Sequence, residues 1–175
     1  SQMAIKLDKK DKKILEIINN NARLSVANIS RKTGIQRDSV LYRIKRMEKL
    51  NVIRFFHTAI NPTVLGYPIY AFVNFVLHNL NQDNEKLFLG HLKALPKVVY
   101  VAKTTGKWDF TINIAAKDLK HFDEVITQIR MKFSKIIKEY ESASIIEELK
   151  YDYMVDLVWL IKKEKRWKKM NIQHF

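Results

Sequence analysis

Between Asp8 and Leu50 the apolar residues recur at helical spacing in three separate runs. Ile14, Leu15, Ile17 and Ile18 follow the acidic opening Asp8 to Asp11, which suits a helix N-terminus, where the backbone dipole favours negative charge. Ser25 then reads as the N-cap of a short helix that buries Val26 and Ile29 and stops at Gly34, where a positive φ costs nothing. A third helix, Gln36 to Leu50, turns Val40, Ile44 and Met47 inward with Leu41 and Leu50 beside them. Its other side repeats Ser39, Tyr42, Arg43 and Arg46 at i, i+3, i+4 and i+7. After it, "NVIRFFHTAI" has the β-branched and aromatic content of one or two short strands.

The stretch "NPTVLGYP", Asn61 to Pro68, gathers two of the three prolines and one of the four glycines and reads as a hinge. Beyond it the period changes. "IYAFVNFVL", Ile69 to Leu77, is a strand with two largely apolar faces. A helix from about Asn84 to Leu95 follows, ended by Pro96, then "VVYVAKT" and "DFTINIA" as strands around a tight turn at Gly106. From Asp118, apolar positions Leu119, Phe122, Val125, Ile126, Ile129, Phe133, Ile136, Ile137 and Tyr140 step by three or four, the pattern of one long amphipathic helix. A last strand is expected from roughly Ser144 to Tyr151. The order β-α-β-β-α-β predicts a ferredoxin-like αβ-sandwich, making the whole chain α+β. Two helices on one sheet face leave the other bare, so Tyr70, Phe72 and Val76, or their opposite-face neighbours, predict a homodimer packed sheet to sheet. The competing expectation is that the C-terminal extension covers that face.

Charge sharpens this division. Residues 1–60 hold 14 Lys/Arg against 5 Asp/Glu, an excess of nine; residues 61–161 balance 12 against 12; residues 162–175 hold 6 against 1. Basic ends around a neutral middle imply that only part of the chain meets a polyanion. The expected organisation is a DNA-binding domain over 3–60, the hinge over 61–68, the sandwich over 69–154 and a basic extension over 155–175, with Ser1-Gln2 an expression scar outside the fold. No apolar run approaches the ~18 residues of a membrane span and no signal pattern opens the chain, so a soluble, cytoplasmic, nucleoid-associated protein without membrane contact is expected. The absence of cysteine excludes disulfides and thiolate metal sites.

Helix, Gly-containing turn and basic helix together make a helix-turn-helix, whose last helix enters the major groove of double-stranded DNA. On that reading Arg43 and Arg46 donate to guanine O6/N7 or to phosphate, while Ser39 and Tyr42 reach base edges or backbone. Gln36 joins this set at the start of the helix, and Arg31, Lys32, Arg37, Lys45 and Lys49 lie where flanking phosphates pass. The bland alternative is a solvated charged helix face.

The chain also resembles the Lrp/AsnC (feast/famine) regulators. The resemblance runs through Leu7-Asp8, Asp11, Ile14-Leu15, Ser25, Ile29-Ser30, Thr33-Gly34-Ile35, Val40, Arg43-Ile44, Met47-Glu48, Val52-Ile53, Asn61-Pro62 and Leu65-Gly66, and continues in "TTGKWDFTINI", Thr104 to Ile114. It covers about Lys6 to Tyr153 and implies a winged helix-turn-helix joined to an effector-sensing sandwich that forms dimers and often tetramers or octamers. It further implies an amino-acid effector near the T-G-x-x-D turn, which carries over to Thr105, Gly106, Trp108 and Asp109. Backbone N–H groups at a glycine turn suit a carboxylate and Asp109 suits an ammonium; alternatively, Gly106 only makes the turn and Trp108 fills an oligomer contact. Asn51 stands where the family has glycine before the wing, a position asparagine tolerates. The extension departs further: residues 155–161 are an extra strand or helix, and Lys162 to Lys169, with Trp159 and Trp167 interleaved, suits either a solvated tail or a nonspecific nucleic-acid contact.

An enzyme is not expected. Glycines 34, 66, 90 and 106 form no phosphate loop or dinucleotide fingerprint, and His57, His78, His91, His121 and His174 lack ligand spacing. No cofactor or metal is expected. Sirohaem decarboxylases resemble this scaffold, but their His-Asn-Tyr run is missing from "KTTGKWDF". The other rival is an architectural oligomer that wraps DNA with little sequence choice.

Overall fold

The computed structural model describes residues 5–150 and 154–160. The described residues divide into two compact units, one of residues 5–59 with 150 and 154–160 and the other of residues 60–149.

The first unit is built on α1 (Lys9–Asn20), α2 (Val26–Thr33) and α3 (Arg37–Lys49). Asp8 caps α1 in a reciprocal box: its carboxylate accepts from the Asp11 N–H, and the Asp11 carboxylate accepts from the Asp8 N–H. Ser25 caps α2 by accepting from the Asn28 N–H, and Gly34 ends it at φ 71°. Ile14, Ile18, Ile29, Ile35, Val40 and Met47 close the core. Asn51 takes φ 55° after α3, the left-handed geometry expected of it. Residues 155–160 are helical and belong to this unit: Val155 is buried and Trp159 stacks under the Lys12 ammonium, 5.4 Å from the ring centroid. Of the two forms expected for 155–161, the described part is therefore a helix, while Lys162 to Lys169 and Trp167 lie outside the described residues. The strands expected in "NVIRFFHTAI" do not form: a strand needs a neighbour for its N–H and C=O groups, and none of the described residues pairs with this stretch. Phe55, Phe56 and Ile60 remain exposed.

The second unit holds β1 (Ile69–Leu77), α4 (Gln82–Ala94), β2 (Val98–Lys103), β3 (Phe110–Ala116), α5 (Leu119–Lys132) and β4 (Ile137–Ser144). The sheet order is β2-β3-β1-β4 and every pairing is antiparallel, the ferredoxin-like arrangement. Val73, Phe75 and Leu77 of β1 and Phe110, Ile112, Ile114 and Ala116 of β3 pack with Phe88 and Leu92 of α4 and Val125, Ile126 and Ile129 of α5, so both helices cover one face. Phe88 meets Phe75, Phe110 and Phe133 edge-on at centroid distances of 5.6, 5.9 and 5.1 Å.

The long helix expected through Tyr140 stops at Lys132, and the last strand is 137–144 rather than 144–151. A register shift between Val76 and Leu77, opposite Glu139 and Ile137, inserts one extra residue into β4. That bulge puts Ile137 and Tyr140, three residues apart, on the same face, where they imitate helical spacing.

The uncovered face carries Tyr70, Phe72, Asn74 and Val76 from β1, Thr111 and Asn113 from β3 and Tyr100 from β2, placed there by alternation and register. Phe72 is 40% and Tyr100 51% exposed. Between them Asn113 is 4% exposed, and its Oδ1 has no hydrogen-bond partner.

Candidate functional site

The α2–α3 turn is braced from within. The Ser30 hydroxyl donates to the Ile35 carbonyl at 2.5 Å, and the Thr33 hydroxyl donates to the Ile29 carbonyl at 2.8 Å while accepting from the Ile35 N–H at 3.2 Å. This fixes the point from which α3 leaves.

With Val40 and Met47 fully buried and Ile44 half-buried, the side of α3 opposite its core carries Asp38, Tyr42, Lys45 and Lys49, all exposed. The stripe expected from spacing lies roughly 80° round the helix from this direction. Tyr42 is common to both stripes. Arg43 is not a free outward donor: its Nη1 donates to Asp8 at 2.6 Å and to Asp11 at 2.7 Å, and its Nε donates to the Ser39 hydroxyl at 3.3 Å. Arg46 donates through Nη1 to Asp11 at 3.2 Å. The carboxylate of Asp11 is 1% exposed, the Arg43 side chain 17% and the Arg46 side chain 34%. Spacing therefore misplaces Arg43 and Ser39, which lie on the flank joined to α1 because a buried carboxylate requires a cation. Asp8 and Asp11 are the residues that sequence reasoning underrated; D-x-x-D ahead of an apolar run gave the signal for a capped helix but not for its partners.

Electrostatics agrees with this geometry. Burial pushes the Asp8 carboxyl up, but the Asp11 N–H, the Arg43 guanidinium and the Lys10 N–H outweigh it and hold the group below its ordinary 3.8. Arg43 is raised, chiefly by its hydrogen bond to Asp8. The remaining cations expected near DNA are exposed: Arg31, which donates to the Asn28 side chain at 2.8 Å, Lys32, Arg37, Lys45 and Lys49. Gln36 is also exposed and makes no side-chain capping bond.

The second candidate site is the loop of residues 104–109 between β2 and β3, longer than the tight turn expected. Thr104 closes it, its N–H donating to the Asp109 carbonyl at 2.9 Å and its hydroxyl to the Trp108 carbonyl at 2.6 Å. Gly106 takes φ 99°, which favours glycine there. Asp109 is turned toward β1: its Oδ2 accepts from the Leu77 N–H at 2.7 Å, and its N–H donates to the Phe75 carbonyl at 2.9 Å. One oxygen of the expected ammonium acceptor thus already holds the end of β1. Lys107, unremarked in the sequence, stands 4.2 Å over the Trp108 ring and pairs with Glu139 at 3.3 Å. Thr105 and Gly106 are exposed; Trp108 and Asp109 are half-buried.

Residues 7–54 match the family model for winged helix-turn-helix DNA-binding, and residues 70–155 match that for the Lrp/AsnC ligand binding domain. The chain is 33% identical over 122 residues to the HTH-type transcriptional regulator Ptr1 of Methanocaldococcus jannaschii, an alignment spanning 70% of this chain and 80% of Ptr1. Among solved structures it resembles an AsnC family transcriptional regulator from Agrobacterium tumefaciens, with a TM-score of 0.74 and 26% identity over 83% of this chain and 94% of that one. It shares its fold with a transcriptional regulator from Neisseria meningitidis solved as a complex with L-Met, at a TM-score of 0.74 and 21% identity over the same shares of the two chains.

Proposed function

This chain belongs to the Lrp/AsnC family of helix-turn-helix DNA-binding transcriptional regulators, and from that premise we propose that it reads selected sites in double-stranded DNA as a homodimer whose affinity an amino acid adjusts. The observation that carries the DNA half is the outward face of α3, where Tyr42, Lys45 and Lys49 stand exposed within a stretch, residues 1–60, that holds an excess of nine positive charges. Tyr42 offers a hydroxyl to a base edge or phosphate, and the lysines, with Arg31, Lys32, Arg37 and Gln36 flanking, offer donors to backbone oxygens. The bare sheet face, with Phe72 and Tyr100 exposed around the orphan oxygen of Asn113, supports pairing with a second copy, and dimers stack further into tetramers or octamers.

The effector reading rests on the loop 104–109, within the region that matches the ligand binding domain. There the backbone N–H groups around Gly106 and the ammonium of Lys107 suit a carboxylate, and the second oxygen of Asp109 suits an ammonium, with Thr105 and Trp108 as walls. The protein works in the cytoplasm on the nucleoid, by binding rather than by catalysis. Light scattering behind size exclusion, with and without a panel of amino acids, tests this part: a dimer or larger particle whose mass shifts with one amino acid supports it, and a monomer indifferent to all of them sinks it.

One observation favours a second reading. With Arg43 paired internally, the outward face of α3 is dominated by lysines, which are phosphate contacts more than base readers, as an architectural DNA-wrapping protein requires. Gel-shift competition separates the two. A specific regulator bound to half-sites about 10 bp or a multiple apart resists genomic competitor, and an architectural one does not.

A further inference from the structure

The flank of α3 that spacing assigned to DNA is instead locked to the N-terminus of α1. Asp8 and Asp11 cap α1 reciprocally, and both carboxylates also reach α3: the oxygens left over from the capping box, Asp8 Oδ2 and Asp11 Oδ1, share Nη1 of Arg43, while Asp11 Oδ2 accepts from Nη1 of Arg46 as well as from the Asp8 N–H. Ser39, one turn back, takes the Nε of Arg43. With two carboxylates against two guanidiniums, the cluster is neutral in sum. It releases few counterions to a duplex, so it cannot be the source of phosphate affinity.

We propose that Arg43 is a positioning residue that fixes the roll of α3 about its own axis, so that Tyr42, Lys45 and Lys49 rather than the Arg43 flank face the duplex, and that Asp8 and Asp11 are its essential partners. The proposal rests on the reading of α3 as the DNA-contacting helix. Its physical basis is the fork: one planar guanidinium spans three acceptors on two helices, which a lysine ammonium on a flexible stem does not reproduce. A roll of even part of a turn carries Tyr42 and Lys45 out of register with base edges while leaving the total charge unchanged. Loss of the clamp therefore costs sequence preference before it costs electrostatic attraction.

The test uses the full chain and fluorescence anisotropy with a duplex that the wild-type protein selects from a randomised pool, against a scrambled duplex, across a KCl series. Arg43→Lys is expected to keep the slope of log affinity against log salt and the affinity for the scrambled duplex, while affinity for the selected duplex falls about tenfold or more. Asp8→Asn, which alters a half-exposed member and leaves Asp11 in place, is expected to show the same pattern more weakly and serves where Arg43→Lys fails to fold. Lys49→Met is expected to make the slope shallower by about 0.9, the signature of one lost phosphate contact. A shallower slope in Arg43→Gln equal to that of Lys49→Met would overturn the proposal, because Arg43 would then be touching phosphate. So would an undiminished preference for the selected duplex in both Arg43→Lys and Asp8→Asn. If Lys45→Met and Lys49→Met leave slope and affinity unchanged, α3 does not meet DNA, and the reading beneath the proposal falls with it.

Discussion

The outward face of α3 and the bare face of the sheet are both surfaces that one chain leaves unmet, but they ask for different partners. The first is polar, with Tyr42, Lys45 and Lys49 in the open, and its attraction is long-ranged and screened by salt. The second presents Phe72 and Tyr100, around an amide oxygen that water does not reach, and its attraction comes from area removed from water. The α3 face is rich in cations and carries one large aromatic, Tyr42, whereas the bare sheet face is mixed: beside Phe72 and Tyr100, the register places the exposed Glu141 and Glu139 of β4 opposite Asn74 and Val76. Residues 61–161 balance 12 basic against 12 acidic residues, so the region around the bare face carries no net charge, in contrast to the excess of nine over residues 1–60.

Salt breaks the two apart most strongly. Raising KCl from about 50 to about 200 mM should weaken DNA binding about a thousandfold if a dimer neutralises roughly six phosphates, while the mass measured by light scattering stays constant. If particle mass falls in step with DNA affinity, the sheet face is not what joins the copies. The complementary experiment adds charge to the bare face: Phe72→Glu with Tyr100→Glu should weaken self-association about a hundredfold, because each carboxylate would be buried unpaired. Analytical ultracentrifugation measures it; a dimer of unaltered strength would move the interface elsewhere.

What the sequence disclosed follows the range of the interactions involved. The Ser25 cap, the stop at Gly34 and the left-handed Asn51 are decided within a few residues and were legible. So was the topology, since the change of period at Ile69 reflects how each element meets its core. The roll of α3 was not, because Arg43 is held by Asp11 and Asp8, 32 and 35 residues earlier, and helical spacing alone leaves two basic flanks indistinguishable. Asp109 has the same history. Its motif marks the loop, but its carboxylate is engaged by Leu77, 32 residues away. The bulge in β4 misled by imitation, placing Ile137 and Tyr140 on one face at a helix's interval.

Acid should sharpen the comparison further, since each unit carries a group that makes it acid-sensitive in a different window. Asp8 lies below 3.8 when folded, so its contribution is present above that value and lost as pH falls through the lower folded value. In the second unit His91 is pushed below 6.5, first by burial and then by Lys132, whose Nζ stands 3.1 Å from its Nδ1. The folded state disfavours imidazolium there, so stability falls as pH drops from about 6.5 toward the folded value, where the unfolded chain takes up more protons. Melting followed from neutral pH downward should therefore show two acid limbs, the upper removed by His91→Gln and the lower flattened by Asp8→Asn. A single limb unaffected by either substitution would contradict the assignment.

The smallest effect is expected where the first unit borrows from the far end of the chain. Residues 155–160 lie against α1, with Val155 buried and Trp159 beneath Lys12, which is itself 4% exposed although it is a lysine on a solvent-facing stretch of sequence. Trp159→Ala removes a cation–π contact and part of the cover over the lysine stem, so it should cost the first unit about 1 kcal/mol. The second unit, whose core is closed by α4 and α5, should not register the change. Hydrogen exchange resolves the two: amides of Ile14 to Ile18 in α1 should exchange about fivefold faster if they open through unfolding of their unit, and those of Ile112 to Ala116 in β3 at their former rate. Equal acceleration in both would mean that the C-terminal helix stabilises the chain as a whole, and the two units would then have to be treated as one cooperative body.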